Sequence, residues 1–107
     1  PIKQNIVKVD LRKTSITDKS LQMLSTFPRL THLNLMGTAV DSSSVKYLNG
    51  NVSLEALNMV DTEVSEDIIE TLLSMSSLEK VYLWESEFTP AGISDLKKRA
   101  NSLQVSF

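Results

Sequence analysis

The chain has 107 residues, 41% hydrophobic and 22% charged, with a net charge of −2 and no cysteine. A single domain of this size buries about two thirds of its unfolded surface, so it needs no disulfide staple, and without thiols it has no thiolate metal site and no cysteine nucleophile. The charge balance argues against bulk nucleic-acid or polybasic membrane binding, no apolar run approaches the roughly 20 residues of a membrane span, and no basic stretch followed by an apolar one marks a signal peptide.

Residues 6–29 open with Ile6, then Val9 and Leu11 in the V-x-L alternation of a short, half-buried strand. Thr14 and Ile16 follow, then Thr17 and Asp18, a helix cap and a carboxylate suited to a helix start, and Leu21 and Leu24 at helical spacing. Residues 30–53 run the same course through Leu30, Leu33, Leu35, Thr38, Val40, Asp41, Val45 and Leu48. Asn49-Gly50-Asn51 then stops the helix, since Gly and Asn tolerate the left-handed conformation. Residues 54–77 give Leu54, Leu57, Met59, Thr62, Val64, Ser65, Glu66, Ile69 and Leu72, with Ile68 and Leu73 alongside. Residues 78–101 give Leu78, Val81, Leu83, Ser86, Phe88, Thr89, Ile93 and Leu96, with Pro90 at the favoured first helical position. Residues 102–107 begin a fifth, partial unit, because Val105 and Phe107 fall 24 positions after Val81 and Leu83.

Six apolar columns and one hydroxyl column thus recur every 24 residues without an insertion. A strand–turn–helix unit that short cannot bury its apolar side alone, whereas a stack of them builds one continuous core. Leu33, Leu35, Leu57 and Met59 belong in the middle of that core, and the hydroxyls are expected to satisfy turn backbone, not to do chemistry. Leu103, Val105 and Phe107 are expected to close one end, and residues 1–5 or an upstream segment the other.

The pattern L-x-x-L-x-L-x-x-T-x-[IV] resembles the leucine-rich repeat family, whose usual form carries Asn or Cys where this chain carries Thr. The resemblance covers residues 6–107. It implies a single α/β domain over residues 1–107, a solenoid with a parallel sheet on its concave face and helices on its convex face. LNLMGTAV and VYLWESEFTPAGISDLKKRANSLQVSF look like the short Thr-type repeats of bacterial cell-envelope proteins. Those repeats often end chains that also carry a c-type cytochrome domain and membrane segments. The resemblance therefore implies a periplasmic or envelope-associated setting, with the cytoplasm as the alternative. The chain has no C-x-x-C-H for haem, so no cofactor is expected. Its start at Pro1 instead of Met is expected of a processed or excised chain.

Charge is unevenly laid out. Residues 1–29 hold six basic and two acidic side chains, residues 30–77 one basic and seven acidic, and residues 78–107 four of each. A catalytic triad needs a nucleophile, a base and an orienting acid. The single histidine, His32, has Asp10 nearby but no strained nucleophile turn, so a surface role is expected and an enzyme is not. Asp61, Glu63, Glu66 and Asp67 are the densest carboxylates, without the spacing of a calcium loop, and are read as a solvated acidic edge. Gly37, Gly50 and Gly92 are too scattered to cradle phosphate. Lys97, Lys98 and Arg99 suit a helix C-terminus.

The remaining signal lies on the outward face of the strands. Alternation places Lys8, His32, Ala56 and Lys80 in one column, Asp10, Asn34, Asn58, Tyr82 and Ser106 in a second, and Arg12, Met36, Val60 and Trp84 in a third. Apolar and aromatic residues on an otherwise polar face are what interface cores contain. The expected protein-binding residues are His32, Asn34, Met36, Asn58, Val60, Tyr82 and Trp84. The partner is a protein surface or a neighbouring domain, not nucleic acid and not a membrane interior. Alternatives are a structural terminal domain packed within a larger protein, and carbohydrate or small-ligand binding through Trp84 and Tyr82.

Overall fold

The computed structural model describes residues 7–107, so Ile6 and the expected cover by residues 1–5 lie outside the described residues. The chain forms β1 (Val7–Asp10), α1 (Asp18–Leu24), β2 (Leu30–Asn34), α2 (Ser42–Val45), β3 (Ala56–Asn58), α3 (Ile69–Ser74), β4 (Lys80–Tyr82), α4 (Pro90–Arg99) and β5 (Gln104–Ser106). Single 3-10 turns at Lys46–Leu48 and Glu66–Ile68 extend the second and third helical segments. α2 is short because three serines, weak helix formers, fill its start, and Gly50, at φ 76°, lies just past the 3-10 turn that follows it.

The five strands form one parallel sheet in the order β1-β2-β3-β4-β5. Lys8 faces His32, His32 faces Ala56, Ala56 faces Lys80 and Lys80 faces Gln104, each partner 24 residues further on. The exception is Val7, which faces Leu30 across an irregularity between Val7 and Lys8. The ladder continues beyond the strands: the Leu35 N–H donates to the Asn58 carbonyl, Met59 to Tyr82 and Leu83 to Ser106, at 2.8–2.9 Å.

Strand alternation sends one apolar set into a shared core. Leu33, Leu35, Leu57, Met59, Val81 and Leu83 are at most 2% exposed. Val45, Leu48, Ile69, Leu72, Ile93 and Leu96 come in from the helical segments to meet them. The same columns are only half-buried at the β1 end, at Val9, Leu11, Ile16 and Leu24, where no further strand covers them among the described residues.

The helix starts are capped as their side chains dictate, with one exception. The Thr17 and Asp41 side chains accept the Ser20 and Ser44 N–H groups in reciprocal capping boxes, and Thr89 accepts the Gly92 N–H at 3.0 Å. Ser65 makes no side-chain cap; its hydroxyl lies 3.2 Å from that of Ser42 instead. Phe107 departs from its expected column. Leu103 and Val105 pack against the core, but Phe107 is 38% exposed, and its ring swings out to Trp84.

Candidate protein-binding face

The outward face is built from three columns, and the third runs just past the strand ends. The Lys13 N–H donates to the Met36 carbonyl, Gly37 to Val60 and Asp61 to Trp84, at 2.8–3.0 Å, which sets Arg12, Met36, Val60 and Trp84 side by side. Met36, Val60 and Tyr82 are half-buried, and Trp84 is 55% exposed. The Phe107 ring stacks on Trp84, with centroids 6.3 Å apart and planes 14° apart. The apolar stripe therefore ends in an exposed aromatic pair, of which sequence columns gave only one member.

The turns beneath the stripe share one geometry. Thr14, Thr38 and Ser86 donate their N–H groups to Leu11, Leu35 and Leu83, three residues back, at 3.2 Å. The third residue of each turn has positive φ: Lys13 at 56°, Gly37 at 71°, Asp61 at 57° and Glu85 at 58°. Only Gly37 signals this in the sequence, since a positive φ at that position normally calls for Gly or Asn. Thr14, Thr38 and Thr62 also donate their hydroxyls to the carbonyl three residues back, each at 2.7 Å. Ser86, one methyl poorer, instead accepts the Phe88 N–H at 3.3 Å.

The two asparagines of the face have a further task. Asn34 Oδ1 accepts the Met36 N–H at 3.0 Å, and Asn58 Oδ1 accepts the Val60 N–H at 2.9 Å. Asp10 does the same for Arg12 at 3.1 Å. These side chains pin the backbone that carries the stripe, a role that column position alone did not reveal. The Arg12 N–H, followed by its guanidinium, holds the Asp10 carboxyl below its ordinary range.

His32 is half-buried, with Nδ1 2.9 Å from the Thr31 hydroxyl, while Asp10 is engaged by Arg12, so the two are not brought together as a base and its orienting acid. The four clustered carboxylates are also divided. Glu66 reaches the start of α4, where its carboxylate accepts the Thr89 hydroxyl at 2.6 Å and the Thr89 N–H at 3.2 Å. The hydroxyl bond holds Glu66 below its ordinary pKa. The carboxylate group lies so close to Gly92 that a Cβ there would fall 2.1 Å from Glu66 Cγ. Asp61 and Glu63 turn to a different groove, of about 460 Å³, which they line with Glu85 and Glu87. Among the described residues, no three His, Cys, Asp or Glu side chains are placed to hold a metal ion, and no helix is long and apolar enough to cross a membrane. Of the basic run closing α4, Arg99 pairs with Glu70 and, at 3.7 Å, with Asp95.

A second apolar surface lies at the β1 end, where exposed Met23 and Phe27 join Val9, Leu11, Ile16 and Leu24 around a groove of about 230 Å³.

No protein-family model matches the chain, and no curated protein matches it. What stands is an α/β chain with a five-stranded parallel sheet, helices between the strands, and an apolar stripe across the outward strand ends.

Proposed function

We propose that the chain is a leucine-rich-repeat solenoid module, its sheet concave and its helices convex, which binds another protein surface through the outward face of the sheet and catalyses nothing. The 24-residue strand register and the shared turn geometry support the solenoid. The observation that carries the binding role is the Trp84–Phe107 pair, stacked and exposed at the end of the Met36–Val60 stripe. Large aromatics held rigidly at a surface anchor interfaces because they bury much area at little entropic cost. The partner is a separate protein or the neighbouring domain of a longer chain.

Trp84→Ala and Met36→Glu test this. Both side chains stand on the outward face, so neither substitution opens a core cavity, and the far-ultraviolet circular dichroism should be native. Each should weaken association by about 1–2 kcal/mol, the scale of an interface anchor. The assay is recovery of partners by the immobilised chain, with Lys97→Ala on α4 as the control. A protein held equally by wild type and both variants argues against the face. Unfolding of Trp84→Ala would mean that the tryptophan is core.

A further inference from the structure

We propose that the occupant of the Met36–Val60–Trp84 face is a cationic segment of a partner protein, an extended stretch in which Lys or Arg flanks an aliphatic anchor. The inference rests on the binding role assigned to that face and adds the chemistry of what binds there.

The stripe and the acidic groove are continuous. Val60 is followed in the chain by Asp61, and Trp84 by Glu85, with Glu63 and Glu87 two residues beyond. A ligand lying along the stripe therefore meets four carboxylates on one flank. The described ion pairs join Arg12 to Asp10 and Arg99 to Glu70 and Asp95, and none engages these four. The Asp61 N–H donates to the Trp84 carbonyl and the Glu87 N–H to the Val64 carbonyl, so Asp61 and Glu85, and Glu63 and Glu87, sit on adjacent turns. Asp61 and Glu85 also hold a left-handed backbone that costs a non-glycine residue energy. Lys13, the cation whose stem passes Gly37, makes no ion pair with Asp61 among those described.

The fold thus keeps a row of carboxylates, none of them in an ion pair among those described, along the edge of its exposed apolar stripe. A guanidinium or ammonium from outside supplies the counter-charge to that row. The aliphatic stem of such a residue lies along Met36 and Val60, and its head reaches the carboxylates or the face of the Trp84 ring. Nucleic acid and acidic peptides are repelled by the same edge.

Trp84 is the only tryptophan, so its emission reports directly on the stripe. The probes are two short peptides free of Trp and Tyr, each with a central Leu–Leu pair, one flanked by arginines and one by glutamates. At low salt the arginine peptide should shift Trp84 emission and bind at least about tenfold tighter than the glutamate peptide. The preference should shrink as salt is raised toward about 0.2 M. It should vanish when Asp61→Asn, Glu63→Gln, Glu85→Gln and Glu87→Gln are combined, a variant expected to melt no lower than wild type because none of the four is in a described ion pair. Equal affinity for the two peptides, or an arginine preference that survives in the combined variant, overturns the cationic assignment while leaving the face intact. Calorimetric binding of the arginine peptide that is unchanged by Trp84→Ala overturns the face itself. Binding of neither peptide at millimolar concentration overturns the cationic proposal.

Discussion

Phe107 lays its ring on Trp84, 6.3 Å between centroids, although its place in the 24-residue pattern is that of the buried Leu83. No sixth strand covers β5 among the described residues, so an inward ring there would gain little enclosure. Turning outward, it meets the one exposed aromatic face within reach. Phe107→Ala should therefore expose Trp84 further and red-shift its emission. The stability cost should stay below about 1.5 kcal/mol, the scale of an aromatic pair. A loss of several kcal/mol in chemical denaturation would return Phe107 to the core.

The threonine column makes a sharper demand. Thr38 is 6% exposed, and its hydroxyl donates to the Leu35 carbonyl at 2.7 Å, a carbonyl that also receives the Thr38 N–H. Thr38→Val keeps the shape and leaves that carbonyl one partner, so it should cost about 0.5–1.5 kcal/mol. Thr38→Asp puts a charge in the same enclosed turn and should cost about 3 kcal/mol or more. Urea denaturation of the two variants settles the order. Equal costs would show that water reaches the turn.

The strand order and the core were legible because period-2 alternation and a fixed 24-residue offset specify register, and Leu33, Leu57 and Val81 meet as that offset requires. The caps at Thr17, Asp41 and Thr89 were legible for a local reason: a side-chain oxygen at that offset finds free N–H groups. Ser65 was not, because its hydroxyl is taken up by a residue of the preceding turn, a contact no local rule encodes. On the face, alternation found Met36, Val60 and Trp84. It could not show that Asn34 and Asn58 bend back to the backbone two residues on, or that Phe107 joins the stripe. Nor could it place Lys13 and Glu85 in left-handed turns, since residue preference speaks against them there.

That backbone column is open to test. Lys13, Asp61 and Glu85 hold φ between 56° and 58°, whereas Gly37 fills the fourth position at 71°. Glu85→Gly removes the steric cost of a Cβ and should stabilise the fold by about 1 kcal/mol, less whatever the freer unfolded chain takes back. Asp61→Gly should gain less, because Asp tolerates this region better. Gly37→Ala should destabilise, since its backbone is left-handed and its new Cβ would stand 3.0 Å from Lys13 Cγ. Thermal melts of the three variants give the signs. A stabilising Gly37→Ala would overturn the turn geometry.

The acid limit of stability follows from two helix starts. Asp41 accepts the Ser43 hydroxyl at 2.7 Å and the Ser44 N–H and hydroxyl at 3.1 Å each, and these bonds, Ser43 first, hold its pKa below the ordinary value. Glu66 is lowered by the Thr89 hydroxyl first. Unfolding breaks these bonds and returns both groups to ordinary values, so the unfolded chain takes up protons first as pH falls. The stabilisation is complete above the unfolded-state values, begins to fall near about pH 5, and is lost as pH drops through the lower folded-state values. Asp41→Asn keeps an oxygen that accepts the Ser44 N–H but no longer titrates, and Glu66→Gln does the same at Thr89. The double variant should start less stable at pH 7 and lose less between pH 5 and pH 3. Melting temperatures of wild type and double variant across that range decide it, and parallel curves would show that neither carboxylate contributes to the acid response.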